Sequence, residues 1–393
     1  DYLGMRSHPA LRAAAIEALE NGIDLGSGGS RLLRGHTQHH ENLETFAAQY
    51  FASEKTLYFA NGYQANQAIF QALPARQDTV IFDEFIHASA REAIQHSPAQ
   101  HIKAKHNDLQ SFEDALKQAQ QNRKPDSQIW IAVESLYSMD GDFAPLSYLY
   151  KLTQKYDAIL IVDEAHATGV WGKDGKGLSY DLMNSSLRAN TVSEAIHVSD
   201  KMDCFVANAP RNDGNMPPNL ITLHTCGKAI GVAGGLVCAS AAIIDTLINT
   251  ARPFIYSTAP PPLQALLVQK SLQLLASSDG HTKRISLHKI LNHVKSNSFL
   301  DGQFRETESQ IIPIILGSDE AALAAAQHLQ QAGFDIRAIR PPTVPENTAR
   351  LRLSLSTALD EKTLQQFAEH LFTIKGTVTF SSKVTVPGRI KTA

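Results

Sequence analysis

Leu160-Ile161-Val162-Asp163-Glu164-Ala165-His166 is the stretch whose reading decides the fold. An apolar run ends on a carboxylate, and an imidazole follows three residues later. Continuous apolar runs are what strands look like when both faces of a sheet are covered. Ligands of open α/β sheets sit beyond the carboxyl ends of the strands, so residues in that place face a ligand. Further along, Asn219-Leu220-Ile221-Thr222-Leu223 runs into His224-Thr225-Cys226-Gly227-Lys228, and small residues follow as far as Gly234-Gly235. One sheet edge would then present an acid, an imidazole and a lysine. That trio suits pyridoxal phosphate chemistry, in which a lysine holds the cofactor as a Schiff base and an acid pairs with its ring nitrogen.

Working outward, strands are expected at 56–60, 79–82, 129–133, 158–162, 219–223 and 235–238. Helical patterns lie between several of them, for example at 109–121 and 146–156. This is the βαβ signature of an α/β fold, a mostly parallel sheet flanked by helices. The reading divides the chain into an N-terminal segment, 1–38, and a large domain, 39–276. A smaller α+β C-terminal domain, 277–376, and a tail, 377–393, follow. In the small domain strands are expected at 311–316, 335–339 and 350–355, with helices at 320–332 and 361–374. The polar stretch 178–218, with only a weak helical patch near 192–196, reads as an insertion or loop.

Composition narrows the function. At 393 residues the chain exceeds one ordinary domain. Hydrophobic residues at 43% and charged ones at 19% indicate a globular protein. No apolar run approaches the ~18 residues of a membrane span. A net charge of −3 without a basic block argues against nucleic acid as a partner. Cys204, Cys226 and Cys238 are scattered without CxxC spacing, so a reducing, cytoplasmic setting is expected. The chain shows no signal peptide and opens at Asp1 without Met, so a missing upstream segment is expected.

Four strand ends carry chemistry-capable residues: Asp83 to His87, Glu134, Asp163 to His166, and Thr225 to Lys228. Any one of them could be a plain helix N-cap; four on one sheet favour a site. Lys228 lies among Cys226, Gly227, Ala229 and Gly231, which suits a buried nucleophile, and burial would lower its pKa. Asn61-Gly62-Tyr63-Gln64-Ala65-Asn66 passes from a strand into a helix and offers exposed N–H groups as a phosphate cup. Val-Asp-Glu-Ala-His also matches the acidic box of DEAH-type NTPases. That rival needs a Gly-x-x-x-x-Gly-Lys-Ser/Thr loop, and the sequence has no Gly-Lys-Ser or Gly-Lys-Thr. His36, His39 and His40 read as loop and cap residues, since no matching ligand set accompanies them; no metal is expected.

These motifs together, with Asp-Tyr-Leu-Gly at the start, Gly-Ser-Gly-Gly-Ser-Arg at 26–31, Glu-Ser-Leu-Tyr-Ser-Met-Asp-Gly-Asp at 134–142 and Ile-Tyr-Ser-Thr-Ala-Pro-Pro at 255–261, resemble the α-oxoamine synthases, fold-type I pyridoxal phosphate enzymes. Ile339-Arg340-Pro341-Pro342-Thr343-Val344-Pro345 and Thr348 to Arg352 are similar to the branch that condenses L-alanine with a pimeloyl thioester, carried by CoA or acyl-carrier protein, in biotin synthesis. The resemblance spans residues 1 to about 370 and implies a role for each matching residue. Lys228 would carry the cofactor, Asp163 would pair with its ring nitrogen, His166 with its phenolic oxygen, and His87 would stack on the ring. Gly62, Tyr63 and Thr225 would hold the phosphate, helped by Thr258 of a second subunit in a homodimer. Glu134 and Ser138 would line the site, and Arg352 and Thr343 would meet the substrate. The related alternative is a ligase joining glycine to acetyl-CoA. Two departures stand out: 178–218 is roughly thirty residues longer than the family pattern, and Asn347 stands where glycine is common.

Overall fold

The computed structural model describes residues 1–185, 216–296, 299 and 304–375. The expected helical patch at 192–196, most of the 178–218 stretch, Cys204 and the 377–393 tail lie outside the described residues.

The first part of the chain runs α1 (Pro9–Glu20), α2 (Gln38–Phe51), β1 (Lys55–Phe59), α3 (Gly62–Ala72), β2 (Thr79–Asp83), α4 (Ala88–Gln95), β3 (Gln100–Ala104), α5 (Leu109–Gln121), β4 (Ile129–Glu134), α6 (Leu146–Tyr156), β5 (Ala158–Asp163) and α7 (Tyr180–Ser185). After the undescribed stretch come β6 (Leu220–Thr225), β7 (Gly235–Ala239), α8 (Ala241–Thr250), α9 (Arg252–Ile255), α10 (Pro262–Leu275) and α11 (Ser278–Lys295). The chain closes with β8 (Ile311–Gly317), α12 (Asp319–Gln331), β9 (Ala338–Ile339), β10 (Ala349–Ser354) and α13 (Glu361–Lys375). Local chemistry sets many of these ends. The Asn61 side chain accepts the Gln64 N–H at α3 and Asp108 accepts that of Ser111 at α5. Asp157 ends α6 in the left-handed region at φ 48°.

Seven strands form one sheet in the order β1-β7-β6-β5-β4-β2-β3, and β8-β10-β9 form a second, smaller antiparallel one. In the large sheet β3, β2, β4, β5 and β6 pair in parallel. β7 runs antiparallel to β6 and to β1. A short β6–β7 connection allows this reversal, whereas parallel neighbours need a crossover. Every residue of β4 is buried, as are all but one of β5. Each apolar side chain so buried contributes about 1.5–3 kcal/mol. The nine such side chains of these two strands together outweigh a typical net stability of about 5–15 kcal/mol, so layers on both faces are obligatory.

Three expectations change. β3 has no apolar run, because Gln100, His101 and Lys103 are exposed on the sheet's edge. The strand expected at 335–339 shrinks to Ala338–Ile339. Asn347, standing in for glycine, adopts φ 61°, a conformation that asparagine tolerates better than most residues.

A buried ion cluster ties the carboxyl end of β2 to the loop after β4. His106 lies between Asp83 and Asp142, with Nδ1–H donating to Asp83 Oδ1 and Nε2–H to Asp142 Oδ2, both at 2.8 Å. Its side chain is 2% exposed and that of Asp83 is 0% exposed. Burial opposes the charge on His106, but the hydrogen bonds to Asp142 and Asp83 outweigh it and raise its pKa to about 10. Asp83 also accepts the Phe85 and Asn107 amides, so this strand-end carboxylate is consumed structurally.

A raised folded pKa means stability that is complete below the ordinary histidine value of 6.5 and lost as pH rises through about 10. His106→Gln should therefore cost about 3–5 kcal/mol at pH 6.5, because two carboxylates lose their buried counter-charge. Urea-unfolding curves of both proteins should converge as the pH approaches about 10; a difference independent of pH would refute the clamp.

Candidate active site

Strand register brings the expected residues to one edge. Glu134 pairs with Asp163 across β4 and β5, Asp163 with Leu223 across β5 and β6, and Thr225 with Gly235 across β6 and β7. Phe59, at the end of β1, also pairs with Gly235. The segment leading into α3 therefore lies against the end of β6.

Asp163 is 6% exposed and accepts the Ala165 N–H at 3.0 Å and the Asn66 side-chain amide at 3.2 Å. Its neighbour Glu164 faces elsewhere and accepts from Ser135 Oγ and from the Leu178 and Ser179 amides. His166 Nδ1 lies 2.7 Å from the Tyr2 hydroxyl. Burial first, then the charges of Lys228 and Arg352, push the His166 pKa well below the usual imidazole value. Burial lifts Tyr2 to about 12, so a neutral phenol meets a neutral imidazole. With Tyr2 donating to Nδ1, the ring proton sits on Nε2.

Lys228 is half-buried, and its Nζ donates to Thr225 Oγ1 at 3.3 Å. Burial lowers its pKa while Asp163 and Glu134 oppose the shift. An amine in this setting loses its proton more readily than a surface lysine, as a nucleophile must. His87 caps α4, its Nδ1 accepting the Ser89 N–H at 3.2 Å and lying 2.8 Å from Ser89 Oγ. The residue is exposed. Partial burial lowers its pKa and Lys228 adds to this, while Asp163 opposes it.

Glu134 is 1% exposed, and its Oε1 has no hydrogen-bond partner. Ser138 is also buried, and its backbone N–H reaches the Glu134 carboxyl group. At the start of α3, Asn61 uses the Gln64 amide, so the Gly62 and Tyr63 amides are left in the unbonded first turn. The Tyr63 hydroxyl donates to Glu92 at 2.6 Å, which leaves its backbone amide as the group it can offer an anion. A Cβ on Gly62 would come within 2.5 Å of Thr225 Cγ2, so only glycine permits this approach.

The small sheet contributes Arg352. On β10 it shares a strand face with Arg350, whose guanidinium is buried against Asp140. Arg352 Nε, by contrast, is buried without a partner, while its charge acts on Lys228, His166 and Tyr2. Two expected residues stand apart from this cluster. Thr343 is exposed in a turn, its amide donating to Arg340 O. Thr258 is exposed on the corner between α9 and α10, bridged to Ser30.

Sequence reasoning gave no role to Tyr2, Asn66, Gln310 or His106. Gln310 joins the Trp171 indole to the His166 carbonyl, and so fixes the small domain against the site. Tyr2 and Asn66 lay inside motifs already singled out, but their contacts span 164 and 97 residues of sequence. No local spacing could reveal such pairs. The histidine cluster resolves as His40 in the capping box of α2 with Thr37, its Nε2 bonded to Pro260 O.

Residues 1–371 match the family described as aminotransferase class I and II. The chain is 37% identical over 362 residues to an 8-amino-7-oxononanoate synthase of Herminiimonas arsenicoxydans, covering 91% of this chain and 84% of that one. It is 36% identical over 378 residues to the 8-amino-7-oxononanoate synthase of Nitrosomonas eutropha, covering 96% and 88%. Among solved structures, a serine palmitoyltransferase of Sphingomonas wittichii superposes with TM-score 0.78 at 25% identity, covering 96% of this chain and 86% of that one. The 8-amino-7-oxononanoate synthase of Francisella tularensis superposes with TM-score 0.71 at 26% identity, covering 96% of both chains. Sheet order, strand-end chemistry and these likenesses agree: the chain belongs to the aminotransferase class I and II family.

Proposed function

We propose that this chain is a pyridoxal phosphate-dependent acyltransferase that condenses L-alanine with a pimeloyl thioester, giving 8-amino-7-oxononanoate, the free thiol and CO₂ in biotin biosynthesis. One observation carries the reading: Lys228, Asp163, His166 and His87 converge at one sheet edge of a chain aligned almost end to end with synthases of that name.

The residues present fit the cofactor. An unpartnered carboxyl oxygen on Glu134, an unpartnered Nε on Arg352 and a glycine-lined approach at Gly62 are polar and steric features left for a ligand. Bound pyridoxal phosphate supplies an electron sink for the charge that develops at an amino acid's Cα. Asp163 accepts the ring N–H, and Asn66 and the Ala165 amide hold it in place. His166, oriented by Tyr2, donates from Nε2 to the phenolic oxygen. His87 covers the ring face. The Gly62 and Tyr63 amides and the Thr225 hydroxyl take the phosphate, joined by Thr258 of the partner subunit. Lys228 would hold the cofactor, and its amine would serve as the base that removes and later returns the Cα proton. Arg352 pairs with the amino-acid carboxylate, Glu134 and Ser138 line the pocket, and Thr343, exposed outside the cluster, would meet the substrate. The partners are therefore L-alanine, pimeloyl-CoA or pimeloyl-acyl-carrier protein, and a second copy of this chain. Among the described residues no helix is long and apolar enough to cross a membrane, which suits a cytoplasmic site of action.

Thiol release should be at least about tenfold faster with L-alanine plus pimeloyl-CoA than with glycine plus acetyl-CoA, a transition-state difference of about 1.4 kcal/mol. The opposite preference would assign the chain to the glycine-using ligases.

Borohydride treatment of the cofactor-loaded protein should leave the adduct on Lys228. The Lys228→Ala variant should fold yet yield no adduct by mass spectrometry; an adduct on another lysine would overturn the assignment.

Thr258 is exposed on its own subunit, and the three prolines after Ala259 keep its corner rigid. Neither Lys228→Ala nor Thr258→Arg homodimers should turn over substrate. Mixing the two should restore part of the activity, because one hybrid site has both residues intact. No recovery in proven heterodimers would exclude a shared site.

A further inference from the structure

Glu134 combines three features that a surface carboxylate never shows together. Its side chain is 1% exposed, its Oε1 has no hydrogen-bond partner, and strand register sets it directly beside Asp163. The groups facing it are Asp163 from β5, Asp83 from β2, Lys228 beyond β6 and the phenols of Tyr2 and Tyr137. Two of these are carboxylates, and the lysine donates to Thr225 instead. Asp83 is paired with His106, and Asp163 accepts two N–H donors. Both are provided for as anions. Glu134 receives only the Ser138 amide. When two carboxyl groups share a buried site, the proton settles on the one with the poorer anion environment.

We propose that Glu134 is held as a neutral carboxylic acid beside ionised Asp163, and that its O–H is a hydrogen-bond donor to the phenolate oxygen of the bound pyridoxal group. Burial, followed by the charge of Asp163, raises the carboxyl well above its usual range, and Lys228 only partly offsets this. The choice of acceptor rests on the functional reading above. Asp163 and Lys228 serve the ring nitrogen and the aldehyde carbon, and the phenolate adjoins that carbon. An O–H without a protein acceptor is matched to an anionic oxygen; the phosphate already has several donors in the α3 amides and Thr225, whereas the phenolate has His166 alone. The contrast with Glu164 is direct. Glu164 is equally buried but accepts three hydrogen bonds, so its protein partners are complete.

The experiment has two independent arms. The first uses cofactor-free protein labelled with ¹³C at glutamate carboxyl carbons, measured by infrared spectroscopy at pH 8. A protonated-carboxyl band shifted by the label should be present, should vanish in Glu134→Gln and should persist in Glu164→Gln. Absence of the band or its persistence in Glu134→Gln overturns the proposal. If Glu134→Gln does not fold, the labelled parent and Glu164→Gln still decide the protonation, since Glu134 and Glu164 are the buried glutamates among the described residues. The second arm titrates the visible absorbance of the loaded protein with pH. Removing a donor to the phenolate makes the adjoining imine nitrogen more basic. Glu134→Ala should therefore raise the midpoint by about one pH unit or more, and Glu134→Gln, which keeps a neutral donor, should stay near the parent. An unchanged midpoint in Glu134→Ala overturns the donor role. Failure of the cofactor reading would appear as no visible absorbance in any variant, with the infrared result standing apart.

Discussion

The parallel pairing of β5 with β4 on one side and β6 on the other is the constraint on which the site depends. Backbone hydrogen bonds set Glu134 opposite Asp163 and Asp163 opposite Leu223, two residues before Thr225. Side chains alternate along a strand, so a slip of one residue would turn Asp163 to the other face and bring Glu164 in its place. The fully buried β4 and nearly buried β5 forbid that slip, because it would exchange the apolar sets packed on the two faces. The energy that orders the site is thus the energy that forms the core.

Burial then differentiates chemically identical groups. His224 stacks on Phe51 at 3.7 Å, bonds to Thr168 and Thr222, and is driven by burial to about 3, a neutral core residue. His106 is just as enclosed but has a carboxylate on each nitrogen, and is charged. His166 has a phenol on one nitrogen and cations nearby, and is neutral with one ring nitrogen available to a ligand. Burial neutralises His224 and His166, and only in His106 do the partners, two carboxylates, outweigh it.

The small sheet completes the site through polar contacts with the loops at the strand ends. Arg350 binds Asp140, Ser309 Oγ donates to the Gly141 carbonyl, and Gln310 links Trp171 to His166. The N-terminal segment joins the same junction, with the Thr357 amide donating to the Tyr2 carbonyl. A Cβ at Gly141 would lie 2.0 Å from Ile311 O, so the two parts meet at backbone distance. This close seating lets one arginine of β10 serve as the anchor, while the next arginine, two residues on, keeps a buried Nε without a hydrogen-bond partner.

What the sequence determined by itself was the set of elements with strong periodicity and the residues at their ends. α5 and α6 lie at the expected 109–121 and 146–156, and the buried strands fall within a residue or two of their apolar runs. Lys228, Asp163 and His166 stand out in the sequence because strand-end chemistry is local: an apolar run ends on a carboxylate with an imidazole three residues on, and another ends close to a lysine among small residues. β3 was hidden because an exposed edge strand carries no apolar signal. Tertiary structure alone decided the partners. Tyr2 with His166, His106 between Asp83 and Asp142, Asn66 on Asp163 and Arg352 beside Lys228 are all contacts between distant segments. Periodicity reports which face of an element is buried, but not which element covers it. Protonation depends on that covering, so the acid–base character of the site comes from the fold.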